Sequence, residues 1–290
     1  MTSESVVRIG LLLPDLLGTY GDCGNAEVLH RRLAWRDIPA TVVPLPLGAA
    51  IPASLDVYLL GGGEDSAQTL AAKVLTRQPG LLRAVDRGAP VLAVCAGLQL
   101  LGRQFTLDYG ALQPGAGLLD VVTTPATHRS IGEVITQPEP SLLSEPLTGF
   151  ENHRGYTELG PAAHPLGRVI RGNGNGNGVD GVVQGRVIGT YLHGPVLARN
   201  PELADLLLSW VIGRPLPPVE LVGLTELRRQ QLGRLSAASR RRRRRPWNPF
   251  HQLVGGPAAR GDAPHPWPKI DRASATDTAI GAAVRPADGE

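Results

Sequence analysis

The sequence predicts an α/β fold in which a mostly parallel central sheet is flanked by helices. Two observations predict it. Short, strongly apolar runs, as expected for strands covered on both faces, alternate with segments of helical spacing, and glycine-rich turns follow several of the runs. Repeated βα units with short connections form parallel sheets through right-handed crossovers. At 290 residues, the chain can bury one large core with a further segment left over.

The first half of the chain alternates strands and helices in regular order. The predicted strands are 6–13, 41–43, 56–60 and 89–94, and the predicted helices are 26–35, 66–76, 80–87 and 98–102. After Gly115 the pattern changes to shorter strands with period-two character, at 118–123, 131–136 and 187–192. A last helix is predicted at 201–212, with Pro201 in its first turn. Between these elements, residues 173–178 alternate Asn and Gly, which predicts a mobile loop.

Composition changes near residue 235, where the chain becomes rich in Arg, Ala, Pro and Gly. We therefore expect a folded domain over 1–233 and a disordered tail over 234–290. Six consecutive arginines, 240–245, exceed the net charge of +3 of the whole chain, so the body is slightly acidic and we expect no nucleic-acid partner. A solvated extension is the favoured interpretation of the arginine run, and weak attraction to anionic lipid head groups is the alternative.

The cysteine content and the absence of targeting signals indicate a reducing compartment. Only two cysteines occur, Cys23 and Cys95, and neither has the spacing of a metal site. The N-terminal apolar stretch is interrupted by Pro14 and Asp15, and no apolar run has the length of a membrane span. We expect a cytoplasmic protein, in which a cysteine can serve chemistry instead of a disulfide.

Cys95 is the candidate nucleophile. An apolar strand leads directly into Cys95, a helix follows at once, and the small residues Ala93 and Gly97 flank it at two positions either side. This is the pattern of a nucleophile elbow, whose tight turn leaves room only for small neighbours and places the sulfur at a helix N-terminus that favours a thiolate. The alternative is a buried structural cysteine at a strand end. The flanking pattern favours catalysis.

A thiolate that attacks a carboxamide needs donors for the resulting oxyanion. Three glycines, 61–63, end a neighbouring strand of the predicted sheet, and we expect the N–H of Gly62 to act there with the N–H of Ala96. The alternative for these glycines is an ordinary tight turn between a strand and a helix.

His193 is the candidate base among seven histidines. It follows a clear strand at its C-terminal end and precedes a Gly-Pro pair, and α/β sheets place functional groups at that edge. His128 and His153 are expected in polar loops, in binding or in simple solvation.

Three segments together resemble class I glutamine amidotransferases of the cobyric-acid-synthase type. They are Ala-Val-Cys-Ala-Gly-Leu-Gln at 93–99, Gly-Gly-Gly-Glu-Asp at 61–65 and Gly-Thr-Tyr-Leu-His-Gly at 189–194. Two further segments resemble, more narrowly, the glutaminase subunits of lipid II isoglutaminyl synthases. They are Tyr-Gly-Asp-Cys-Gly-Asn at 20–25 and Thr-His-Arg-Ser-Ile-Gly-Glu at 127–133. The resemblance covers about residues 6–215.

The resemblance implies a flavodoxin-like fold and assigns roles to four residues. Cys95 matches the nucleophile and His193 the base. Arg129 matches an arginine that binds the α-carboxylate of glutamine, although without the resemblance it would be read as a solvated loop residue. Gln99 is expected either to face the same pocket or to pack its own helix.

The resemblance also implies a heterodimer with a MurT-like Mur ligase subunit. That partner uses the ammonia to amidate D-glutamate in lipid II, at the inner face of the membrane. Because the sequence holds no P-loop pattern, we expect ATP and Mg²⁺ on the partner and no cofactor or metal in this chain.

One position departs from the family pattern. Many class I members carry a glutamate two residues after the histidine, where this chain has Pro195. Glu202 or Asp205 on the following helix, or an acid of the partner, remain as alternatives. Without an orienting acid in this chain, the site is a Cys–His dyad, for which we expect weak activity in isolation.

Other functions remain open at this point. They are a glutaminase subunit of another synthetase, a cysteine hydrolase or peptidase of the same fold class, and a non-catalytic regulatory domain.

Overall fold

The structure is a computed structural model that describes residues 6–219, 221, 223–230 and 232–233. The predicted tail and its arginine run lie outside the described residues, and the predicted boundary after residue 233 lies at their limit. All three stay predictions. Within the part that is described, no helix is long and apolar enough to cross a membrane.

Twelve strands and six helices are defined in the described residues, and 224–230 are helical as well. The strands are β1 Val7–Leu12, β2 Ala40–Leu45, β3 Val57–Leu60, β4 Val91–Val94, β5 Gln104–Thr106, β6 Leu112–Pro114, β7 Val121–Pro138, β8 Leu147–Leu159, β9 Gly167–Arg171, β10 Val179–Asp180, β11 Val182–Gln184 and β12 Val187–Thr190. The helices are α1 Gly24–Ala34, α2 Asp65–Arg77, α3 Gly80–Asp86, α4 Ala96–Leu101, α5 Val196–Arg199 and α6 Pro201–Ile212.

The central sheet has the strand order β11-β12-β4-β3-β1-β2. Every neighbouring pair is parallel except β11 with β12. Strands β3, β4 and β12 are buried along their whole length, which explains their continuous apolar sequences. The predicted fold class is confirmed. Because β3, β4 and β12 are neighbours, the residues that follow them meet at one edge of the sheet.

The predicted elements of the parallel part agree closely with the structure. The first four strands, the first four helices, β12 and α6 end within two residues of the predicted positions. This agreement follows from the long apolar runs and the helical spacing, which are local properties of the sequence.

A second, mostly antiparallel sheet was only partly anticipated. Its order is β10-β9-β7-β5-β6, with β8 paired to β7. The predicted strands 118–123 and 131–136 belong mainly to one strand, β7, whose pairing with β8 shifts register between Pro125 and Ser130. Strand β8 was missed because its buried face carries polar residues, among them Glu151, His153 and Thr157.

The Asn-Gly loop at 173–178 is fastened by hydrogen bonds, contrary to the expectation of a mobile loop. The backbone N–H groups of Asn173 and Gly174 both donate to the carboxylate of Glu151 at 2.9 Å. The side-chain amide of Asn175 donates to the carbonyl of Gly181 and accepts from its N–H. Glycines at positive φ let the backbone wrap around a buried carboxylate, so the repeat serves to satisfy Glu151.

Candidate active site

Cys95 occupies a strained turn between β4 and α4. Its backbone angles are φ 53° and ψ −105°, a region that non-glycine residues rarely adopt. The Cys95 N–H donates to the carbonyl of Thr190 on the adjacent strand at 2.8 Å, and its carbonyl accepts from the N–H of Gln99. A Cβ on Gly97 would lie 2.9 Å from Cβ of Leu60, so the close packing predicted for this position is present. The turn presents the sulfur at a helix N-terminus.

His193 lies next to Cys95 and is held by Asp22. The Nδ1 atom of His193 is 2.9 Å from Oδ2 of Asp22, and both side chains are fully buried. The backbone of His193 exchanges two hydrogen bonds with that of Phe150, which ties the chain at this point to the second sheet. Its Nε2 atom makes no hydrogen bond with the described residues. Because Asp22 occupies Nδ1, Nε2 is the nitrogen that can exchange a proton with the sulfur of Cys95.

The environment of His193 keeps its imidazole protonated. Burial by itself lowers the pKa of His193, but the hydrogen bond with Asp22 and the charge and proximity of Cys95 raise it from 6.5 to about 10. At neutral pH the ring is therefore an imidazolium between a carboxylate and the sulfur. This protonation state supplies a proton to a leaving amine.

Asp22 was missed as the acid of the site, and the expectation of a dyad is wrong for this structure. Glu202 accepts from the backbone and hydroxyl of Ser144, and Asp205 pairs with Arg32, so neither is directed to His193. Asp22 lies 171 positions before His193. The only signal for it was its place in the segment 20–25, which carried the resemblance but no assigned chemistry.

The glycine loop after β3 is used differently from the prediction. The N–H of Gly62 donates to Oδ2 of Asp22 at 2.9 Å, so in this conformation it is directed at the carboxylate and not at a substrate oxygen. A Cβ on Gly62 would lie 2.8 Å from Cε1 of His193 and 3.5 Å from Cβ of Cys95. Glycine is therefore required here by close approach. Ala96 begins α4 beside the pocket, and its role as an oxyanion donor stays a prediction.

Arg129 and Gln99, predicted at the substrate pocket, both line the pocket that contains Cys95 and His193. Arg129 is exposed, in the irregular segment of β7, and its Nε donates to Oδ1 of Asn152 at 2.6 Å. Gln99 accepts from the side chain of Gln68 at 2.6 Å, so it combines a place in the pocket with a packing role.

A buried polar network that the sequence did not predict adjoins the pocket. The hydroxyl of Tyr191 contacts Gln99 and Thr157, and burial raises its pKa. His153, expected in a polar loop, lies on β8 with its ring stacked on Tyr191 at 3.8 Å. His128 is exposed on the β7 bulge. Gln99 and His153 connect this network to the pocket, which they both line.

A cysteine on a strand–helix elbow, faced by a buried His–Asp pair at the edge of a parallel sheet, defines an acyl-transfer site of the class I amidotransferase kind. The chain belongs to the family of CobB/CobQ-like glutamine amidotransferase domains, whose model matches residues 8–201. Both catalytic candidates, Cys95 and His193, lie inside the matched segment.

Its relatives include the subunit GatD of lipid II isoglutaminyl synthase (glutamine-hydrolyzing). The chain is 33% identical to GatD of Staphylococcus aureus (strain N315), over 76% of this chain and 91% of the relative. It is 34% identical to GatD of Streptococcus pneumoniae (strain ATCC BAA-255 / R6), over 70% of this chain and 79% of the relative. Cobyric acid synthase of Pelotomaculum thermopropionicum is 35% identical over 57% of this chain but only 33% of its own length.

Proposed function

We propose that this chain is the glutaminase subunit of a lipid II isoglutaminyl synthase. The observation that carries the proposal is the buried contact of His193 with Asp22 beside the Cys95 elbow, at the edge of the sheet where α/β folds bind ligands. The relatives' names support the lipid II assignment, because the GatD similarity extends over most of both chains.

The proposed chemistry is acyl transfer in two steps. The Cys95 thiolate attacks the side-chain carbonyl carbon of glutamine, and the imidazolium of His193 gives its proton to the departing nitrogen, which leaves as ammonia. The product is a γ-glutamyl thioester. His193, now neutral, removes a proton from water, which attacks the thioester, and glutamate leaves as the thiolate is restored. Asp22 holds the ring in one tautomer and stabilises its charge in both steps.

The ammonia acceptor is proposed to belong to a partner. GatD relatives are named as subunits of a synthase, which supports a partner subunit for this chain as well. We assign ATP and Mg²⁺ to that MurT-like ligase, which would activate the α-carboxyl of D-glutamate in the lipid II stem peptide. Because Asp22 is in this chain, we further propose that the isolated subunit hydrolyses glutamine without needing an acid from the partner.

The test is reconstitution with the candidate ligase. The pair is expected to co-purify and to amidate lipid II with glutamine, and Cys95→Ala is expected to abolish that reaction while amidation with added ammonia persists. Ammonia transfer to another acceptor instead of lipid II would identify a different synthetase. Equal ammonia release by the wild type and Cys95→Ala would support the non-catalytic alternative.

The predicted arginine-rich tail could determine whether the protein associates with a membrane surface. If residues 240–245 attract the inner face of the membrane, vesicles with anionic lipids are expected to sediment the full chain but not a chain that ends at 233, and salt is expected to weaken the effect. Equal sedimentation of both chains would remove that role and leave the solvated extension.

A further inference from the structure

Three side chains form a hydrogen-bonded row across the pocket that holds Cys95. Arg129 lies in the irregular segment of β7, Asn152 lies on β8, and Tyr20 lies in the loop between β1 and α1. The Nε atom of Arg129 donates to Oδ1 of Asn152 at 2.6 Å, and Nδ2 of Asn152 donates to the hydroxyl of Tyr20. All three residues line the same pocket as Cys95.

Asn152 has its orientation fixed from both ends. The Oδ1 atom of its amide can accept the N–H of Arg129, whereas the Nδ2 atom can only donate, and it donates to the hydroxyl of Tyr20. Arg129 by contrast is exposed, and a free arginine samples many rotamers. The contact with Asn152 is therefore what confines the guanidinium of Arg129.

The contact also selects which part of the guanidinium remains available. Nε carries one N–H, and Asn152 uses it. No hydrogen bond or ion pair to the two Nη atoms of Arg129 is present within the described part of the chain. An end-on pair of Nη atoms matches the two oxygens of a carboxylate.

Tyr20 ties the row to the catalytic histidine. Its ring meets that of His193 edge to face, with ring centroids 4.9 Å apart. Tyr20 has a φ of 59°, which is uncommon outside glycine, and the preceding residue, Thr19, donates its N–H to the carbonyl of Gly62. The tyrosine that anchors Asn152 is thus held by the same loop and ring that form the reaction centre.

We propose that Asn152 is a positioning residue that aims the Nη atoms of Arg129 at the α-carboxylate of glutamine, and that Tyr20 holds Asn152 in that orientation. The proposal rests on the glutaminase function and adds the residues that determine its specificity. A substrate without an α-carboxylate gains nothing from the row, so Asn152 contributes to the selection of glutamine over simpler amides.

The test separates binding from chemistry in the full-length chain. Asn152→Ala is expected to raise KM for glutamine at least tenfold and to leave kcat within about twofold, the pattern of a lost ground-state contact. Tyr20→Phe keeps the ring on His193 and loses only the hydroxyl, so a smaller rise in KM is expected. Iodoacetamide carries no carboxylate, and its rate of alkylation of Cys95 is expected to be unchanged in Asn152→Ala. The glutamine concentration that half-protects Cys95 is expected to rise with KM.

The matched control is Asn177→Ala, which removes an asparagine whose side chain donates to the backbone of Thr157, and it is expected to keep the wild-type KM. The proposal is overturned if Asn152→Ala leaves KM unchanged, or if it slows alkylation of Cys95 as much as it weakens glutamine turnover. A wild type that releases no ammonia refutes the glutaminase function instead, while protection of Cys95 by glutamine still reports on Asn152.

Discussion

The replacement Asp22→Asn tests the most consequential contact of the site. It keeps the size of the side chain and removes its charge, so the imidazolium of His193 loses its buried counter-ion. The pKa of His193 rises from 6.5 to about 10, and at 1.36 kcal/mol per unit this corresponds to roughly 4–5 kcal/mol in favour of the imidazolium. Asp22 and Cys95 share this stabilisation.

Asn at this position removes the counter-ion of the imidazolium and also the control of the ring tautomer, and the loss of tautomer control slows such sites by orders of magnitude. We therefore expect kcat for glutamine hydrolysis to fall by about 10²- to 10³-fold in Asp22→Asn, with a smaller change in KM. Ammonia release is measured by an enzyme-coupled assay, with and without the ligase, and circular dichroism verifies folding.

Glu202→Gln and Asp205→Asn are the matched controls, since both remove an acid that contacts other parts of the chain. Each is expected to keep kcat within about twofold of the wild type. The reasoning is refuted if Asp22→Asn retains wild-type turnover while either control loses it. Rescue of Asp22→Asn by the ligase alone would show that the partner supplies the acid.

Three further predictions concern the same region and the packing behind it. Gly62→Ala would place a methyl group 2.8 Å from the buried ring of His193, so we expect kcat to fall at least about tenfold and the overpacked site to lose about 1–3 kcal/mol of stability. Paired kinetic and thermal measurements check this, and normal turnover would contradict it. The raised pKa of His193 means that its stabilising contribution is complete below pH 6.5 and is lost as pH rises towards about 10. The difference in free energy of unfolding between wild type and His193→Gln should narrow over that interval in urea titrations, and a constant difference would refute the assignment. Arg32→Met removes a buried partner of Asp205, which keeps a second arginine, so we expect about 2 kcal/mol of destabilisation and unchanged KM.

Sequence patterns predicted the parallel half of the fold well and the second sheet poorly. Strands β3 and β4 are continuous apolar runs, because both of their faces are covered, and such runs are visible in any short window. Strand β8 buries polar side chains such as Glu151, His153 and Thr157, so its buried positions do not stand out as apolar residues in the sequence. Because β8 was not predicted, the positions of Asn152 and His153 at the pocket were not predicted either.

The elbow at Cys95 was determined by the sequence alone. A strand, a turn with small neighbours and a helix are consecutive in the chain, so the local pattern contains the geometry. The partners of the sulfur are a different case. Asp22 and His193 meet across 171 positions because the strand order brings β1, β3, β4 and β12 side by side, and Gly62 turns its N–H to that carboxylate. Strand order depends on how the faces of the sheet and its helices pack, and local sequence propensities do not contain that information. Only the tertiary structure therefore showed that the site contains Asp22 as the acid that holds His193.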